Sequence, residues 1–104
     1  MTKNDSEKRR VVVTGLGVVS SLGMGWQKFW SNLLAGKSGI SRITSIDTSG
    51  NDRHYGGEVK NFDPLDFVEK QKAKTYGRAS LMLLAAAKMA LADAKIRSEE
   101  HTSE

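Results

Sequence analysis

A mixed α/β fold, present only in part, is what this sequence predicts, and three observations predict it. Val11-Val-Val-Thr14 is a β-branched run too short for a helix and closed by Gly15, the pattern of a strand buried on both faces. From Gly25 the period changes: Trp26, Phe29, Trp30, Leu33 and Leu34 are spaced to share one face of a helix. The third observation is the stretch from Leu81 to Ala92, apolar on every side apart from Lys88. A helix greasy all round belongs inside a large protein, and 104 residues hold too little other apolar material to wrap it. The domain is therefore expected to be incomplete.

The elements follow in chain order. Residues 1–9 are polar, charged and without periodicity, and are expected to form a disordered extension. After the first strand, Gly15, Gly17 and Gly23 punctuate a turn, where glycine permits close backbone approach. The amphipathic helix from Trp26 ends at Gly36, a left-handed cap. Its aromatic stripe reads as core packing, since such faces point inward. Ser38–Asn51 reads as loop anchored by Ile40, Ile43 and Ile46, and Gly56–Val59 as a short strand. Asp63-Pro64 then starts a short helix. The aspartate can accept an orphan backbone N–H, and proline misses no donor at the first helical position. That helix carries Leu65, Phe67 and Val68 into Lys70-Gln-Lys-Ala-Lys74. The last element is a long buried helix from Arg78 to Lys95, strong in alanine, leucine and methionine, with Gly77 as its weak point.

Composition excludes several function classes. The chain has no cysteine, so disulfides and thiolate metal sites are ruled out, and its two histidines sit in unrelated contexts that offer no metal cluster. Met1–Glu7 lacks the apolar core of a secretory leader, and the longest apolar run is shorter than the roughly 20 residues a bilayer span needs. The cytoplasm is the expected compartment, with no membrane partner.

Arg97-Ser-Glu-Glu-His-Thr-Ser-Glu104 resembles the in-frame translation of a common sequencing-library adapter in all eight positions. Residues 97–104 are therefore expected to be a non-native tail and are set aside from fold reasoning. The formal net charge is +4; without that tail 15 Lys and Arg face 9 Asp and Glu, a net +6. An excess of this sign suits an acidic partner, whether carrier protein, nucleic acid or anionic lipid.

Gly15-Leu-Gly17-Val-Val-Ser20 comes close to the dinucleotide fingerprint that follows a strand. Its sixth position is serine, and Ser-Leu-Gly-Met-Gly delays the helix, so no helix N-terminus would meet a pyrophosphate here. The nearest downstream acid, Asp47, lies 30 residues beyond Gly17, where the motif wants one about 20 on. No cofactor is expected. Ser20 and Ser21 lack both a neighbouring histidine and the nucleophile-elbow pattern, so turn chemistry accounts for them. His54, in a polar loop, reads as a solvated residue. Catalytic and metal residues are expected to be absent, which leaves the basic run Lys70, Lys72 and Lys74 with Arg78. Such a run is usually a solvated surface, yet lysines also offer mobile point charges to phosphate and carboxylate groups.

Four landmarks stand in order: Arg10-Val-Val-Val-Thr-Gly-Leu-Gly17, Leu33-Leu-Ala-Gly-Lys-Ser-Gly-Ile40, Gly57-Glu-Val with Phe62-Asp-Pro, and Ala85-Ala-Ala-Lys-Met-Ala-Leu-Ala-Asp-Ala94. On them, Arg9–Ile96 resembles the opening portion of type II beta-ketoacyl-ACP synthases, with residues 10–96 as the start of that family's N-terminal domain. The resemblance implies a thiolase-like layered αβαβα fold, a homodimer, and transfer of an acyl group from acyl carrier protein to malonyl-ACP with decarboxylation, in fatty acid biosynthesis. It also implies that the nucleophilic cysteine, two histidines and a lysine come later than residue 104, so this piece is expected to be inert. Family members dock the acidic carrier protein partly through basic residues between the short helix and the long one, where Lys70, Lys72 and Lys74 stand. Tyr76-Gly-Arg-Ala79 departs from the family's Met-Asp-Arg-Phe, which keeps a polyketide ketosynthase or a non-catalytic chain-length subunit open. A small basic module binding nucleic acid or an acidic protein is the reading from another class.

Overall fold

The computed structural model describes residues 8–96. The tail expected over residues 97–104, and all but the last two residues of the extension expected over residues 1–9, lie outside that range.

Among the described residues the chain forms two short antiparallel hairpins, three α-helices and one 3₁₀ turn. Strands β1 (Val19–Ser20) and β2 (Gly23–Met24) pair across a two-residue turn, with Val19 opposite Met24. Ser20 holds the turn: its hydroxyl accepts from the Leu22 N–H at 3.2 Å and donates to the Gly23 carbonyl at 2.9 Å. Helix α1 (Trp26–Leu34) follows, and Gly36 closes it at φ 74°. The Lys37 N–H reaches the Asn32 carbonyl and the Gly36 N–H reaches that of Leu33, the paired bonds of a Schellman ending. Both helix and cap fall where the sequence put them.

Strand β3 (Ile40–Arg42) pairs antiparallel with β4 (Tyr55–Gly57), Ser41 opposite Gly56. The expected loop over Ser38–Asn51 thus contains a strand, and the strand expected at Gly56–Val59 starts one residue earlier and omits Val59. Pairing, not propensity, creates these three-residue elements. Asp63 caps the next element as predicted, accepting from the Leu65 N–H at 3.0 Å, but only one 3₁₀ turn forms over Pro64–Asp66. The lysine run then makes its own helix, α2 (Lys70–Thr75), and α3 runs Arg78–Ala94. Lys95 ends α3 at φ 64°, letting the Ile96 N–H bond the Leu91 carbonyl at 3.0 Å.

The buried core is small: Phe62, Leu81 and Ala85, with Val19, Met24, Val59, Phe67, Val68 and Met82 packed around them. Phe62 stacks on Phe67 at 6.1 Å between ring centroids, and the Arg78 guanidinium sits 5.4 Å from the Phe62 ring. A second contact locks the chain start onto α3. Gly15 and Gly17 lie so close to α3 that a Cβ on Gly15 would meet the Ala90 carbonyl and Ala94, and one on Gly17 the Ala86 carbonyl and Ala90.

Three expectations need correction. Val11–Thr14 is not a buried strand: it pairs with no strand among the described residues, and Val11, Val12 and Val13 are 90%, 74% and 79% exposed. A β-branched run becomes a strand only when a neighbour takes its N–H and C=O groups. Nor is α3 buried all round, since only Leu81 and Ala85 are enclosed while Leu83 is 73% exposed. The stripe on α1 is likewise open, with Trp30, Leu33 and Leu34 exposed and no residue of that helix fully buried.

Candidate functional site

The lysine run stands on α2, and Lys70, Lys72 and Lys74 are all exposed. Helical spacing divides them. Lys70 and Lys74, four residues apart, share a face, whereas Lys72 lies about 200° round the axis from Lys70. Lys72 borders a cleft of about 400 Å³ between the Pro64–Val68 turn and α3, which Lys88 also lines. Leu65, Phe67, Val68 and Leu84 form its apolar lining, and Asp66 and Glu69 add two carboxylates. The Lys88 ammonium donates to the Phe67 carbonyl at 2.6 Å, which fixes it at the edge of that lining. Lys88 was not singled out from the sequence; its i, i+4 relation to Leu84 was the available signal.

Other candidates take structural roles. The Gly15–Ser20 segment runs across the C-terminal half of α3, and α1 begins only at Trp26 after the first hairpin, so no helix N-terminus follows directly on the glycines. Their close approach serves packing. Ser20 closes a turn, and Ser21 is packed against Gly39. His54 is not merely solvated: its Nδ1 and the Thr48 hydroxyl, buried at 8% exposure, lie 3.0 Å apart. No group of three His, Cys, Asp or Glu among the described residues is arranged to hold a metal ion. No helix among them is long and apolar enough to cross a membrane.

Two carboxylates organise the surroundings. Glu58 accepts from the Thr44 and Ser45 N–H groups at 3.0 Å each and closes the loop between β3 and β4. The Ser45 hydroxyl, with the Thr44 and Ser45 backbone donors, pulls its pKa down to about 2. Asp93 accepts from the Leu16 N–H at 3.0 Å; that bond first, then the Trp26 indole and the charge on Lys95, hold its carboxyl below the usual range. The Trp26 N–H is buried beside Asp93 and favours its charge without meeting full hydrogen-bond geometry. No periodicity or cap position marks either acid in the sequence.

Comparison with known proteins gives the site its context. The profile of the beta-ketoacyl synthase N-terminal domain matches residues 8–104. The chain is 41% identical over 90 residues, 86% of its length and 22% of the relative's, to a 3-oxoacyl-[acyl-carrier-protein] synthase 2 of Synechocystis sp.. It is 43% identical over 97 residues, 93% of its length and 18% of the relative's, to a chloroplastic 3-oxoacyl-[acyl-carrier-protein] synthase II of Arabidopsis thaliana. Among solved structures, the ishigamide ketosynthase/chain length factor superposes with a TM-score of 0.82 at 39% identity, covering 88% of this chain and 23% of the other. A beta-ketoacyl synthase from Burkholderia phymatum superposes with a TM-score of 0.70 at 30% identity, covering 89% and 23%. The chain spans under a quarter of the length of these relatives. Its mixed α/β architecture is accordingly the opening portion of the thiolase-like fold, with the faces of α1, α3 and Val11–Val13 open. The order of its landmarks, the glycine seat on α3 and these likenesses place the chain in the beta-ketoacyl synthase family, within the N-terminal domain.

Proposed function

We propose that this chain is the opening segment of a condensing enzyme. That enzyme transfers an acyl group from acyl-ACP to malonyl-ACP with loss of carbon dioxide, giving beta-ketoacyl-ACP in fatty acid biosynthesis. One observation carries the reading: 41% identity to a 3-oxoacyl-[acyl-carrier-protein] synthase 2 across 86% of the chain. In the proposed chemistry a cysteine thiolate attacks the acyl thioester and releases the carrier thiol. The carbanion formed by decarboxylation then displaces that cysteine. Histidines stabilise the developing charge. The chain has no cysteine, so the nucleophile belongs to another part of the enzyme and this segment is inert alone.

Lys70, Lys72 and Lys74 are proposed to meet the acidic carrier protein, supported by their exposure on α2. A homodimer completes the proposal. The cytoplasm belongs to it too, and a plastid is the rival compartment because the Arabidopsis thaliana relative is named chloroplastic. The non-native origin of residues 97–104 remains a proposal, opposed by a family match that runs through residue 104. Source DNA read past the Ile96 codon tests it, and native codons for Arg97–Glu104 would refute it.

The test of function is condensation by the full-length gene product, with acyl-ACP and malonyl-ACP as substrates and beta-ketoacyl-ACP as the product measured. A second reading, a polyketide ketosynthase or a chain-length subunit, is favoured by the TM-score of 0.82 to a ketosynthase/chain length factor. A gene product that lacks the nucleophilic cysteine and yields no condensation product supports that second reading. A standalone basic module has no such support, because the match extends over nearly the whole chain.

A further inference from the structure

We propose that the cleft between the β1–β2 turn, the first turn of α1 and the Lys60–Asn61 segment binds a phosphate group, free or on a small organic molecule, between the ammonium groups of Lys28 and Lys60. Its lining shares no residue with the cleft beside α2, so the inference stands apart from carrier docking. The space is about 290 Å³, at the low end of small-molecule sites. Lys28 and Lys60 are its charged residues, and none of the eight that line it is acidic. Two cations and no acid set a positive potential that a dianion matches. The Ser20 hydroxyl is spent on the turn, so Ser21 and Asn61 supply the neutral side-chain donors of the lining.

Both lysines are held before a ligand arrives. The Lys60 ammonium donates one of its three N–H groups to the Ser41 hydroxyl at 2.9 Å and keeps two. The stem of Lys28 lies on Gly23, where a Cβ would meet its Cγ at 2.9 Å and its Cδ at 3.1 Å. Gly23 also sits at φ 138°, a conformation side chains rarely adopt, so glycine here gives Lys28 its seat. Asn61 follows Lys60 at φ 61°, a left-handed position that asparagine tolerates, and turns the chain at the edge of the cleft. Held side chains lose less freedom on binding than mobile ones. A phosphate monoester brings about −1.5 to −2 charges near pH 7 and three strong acceptor oxygens, enough for both ammonium groups. A single carboxylate leaves one of them unmatched.

The experiment titrates the full-length gene product with inorganic phosphate and with methyl phosphate by calorimetry at low salt, with acetate as the singly charged control. Binding is expected with a Kd on the order of 1 mM or tighter, the scale of two charge-assisted bonds. Tighter binding of methyl phosphate identifies an organic ester as the source, and tighter binding of inorganic phosphate the free ion. Lys28→Met and Lys60→Met are each expected to raise Kd about tenfold. Lys60→Arg keeps the charge, is expected to stay within a few-fold of wild type, and serves if Lys60→Met unfolds. Gly23→Ala leaves both charges but takes the seat of the Lys28 stem, and is expected to raise Kd severalfold. Lys37→Met removes an exposed charge outside the cleft and is expected to change nothing. The proposal is overturned if neither phosphate binds, if acetate binds as tightly, or if Lys28→Met and Lys60→Met both keep the wild-type Kd. It is overturned as well if Lys37→Met weakens binding as much as they do, since general surface charge then accounts for the attraction.

Discussion

Leu16 and Asp93, 77 residues apart, are joined by a backbone N–H donated to a carboxylate oxygen at 3.0 Å. The bond ties the glycine segment to the last turn of α3 where Gly15 and Gly17 already press against Ala86, Ala90 and Ala94. Replacing Asp93 by alanine should therefore speed amide exchange at Leu16, with asparagine intermediate. Hydrogen exchange followed by NMR reads this directly, and unchanged Leu16 protection would show that the glycine contact alone holds the segment.

Gly17→Ala should destabilise by about 1–3 kcal/mol, because the new methyl must displace helix backbone that cannot swing aside. Gly50→Ala is the control, with nothing within 4 Å of its Cβ and an expected effect within about 0.5 kcal/mol. Denaturant midpoints of the two variants, measured in the full-length gene product, separate close packing from any general intolerance of glycine replacement.

Glu58 predicts an acid response with a definite sign. Its pKa falls from 4.5 to about 2 in the folded loop. The clamp on Thr44 and Ser45 is then at full strength above about pH 4.5 and is lost as pH falls toward 2. Amide shifts of Thr44 and Ser45 in the folded protein should titrate together with a midpoint near pH 2. In Glu58→Gln that titration should vanish.

Reversing Lys70, Lys72 and Lys74 to glutamate in the full-length gene product should raise KM for acyl-ACP with kcat little changed. The difference should shrink as salt screens surface charge beyond a Debye length of about 8 Å at physiological ionic strength. An unchanged KM at low salt would remove these lysines from carrier docking.

Residues 8–96 alone should melt without a sharp transition and bind a hydrophobic dye, since only Phe62, Leu81 and Ala85 form the buried core. Calorimetry and dye fluorescence measure both. A cooperative transition would mean that the open faces of α1 and α3 find cover within the segment itself.

The sequence makes some elements legible and hides others for physical reasons. The spacing from Trp26 to Leu34 and the run from Arg78 to Ala94 mark α1 and α3 because helices draw on contacts near in sequence. Gly36 and Asp63 show as caps for the same reason. The β1–β2 hairpin and Ile40–Arg42 depend on partners chosen in space, so neither stands out. Helix α2 is hidden by its charge, having no apolar face to give a period. At the candidate site the α2 lysines were legible as a basic run. Their division between two faces, and the part of Lys88, needed the helix axis and the Phe67 carbonyl.

Val11, Val12 and Val13 also shape how such a protein is made. Exposed β-branched side chains beside backbone N–H and C=O groups that no strand among the described residues pairs make a template for any passing strand, so a ribosome that has delivered only this much polypeptide presents a sticky edge.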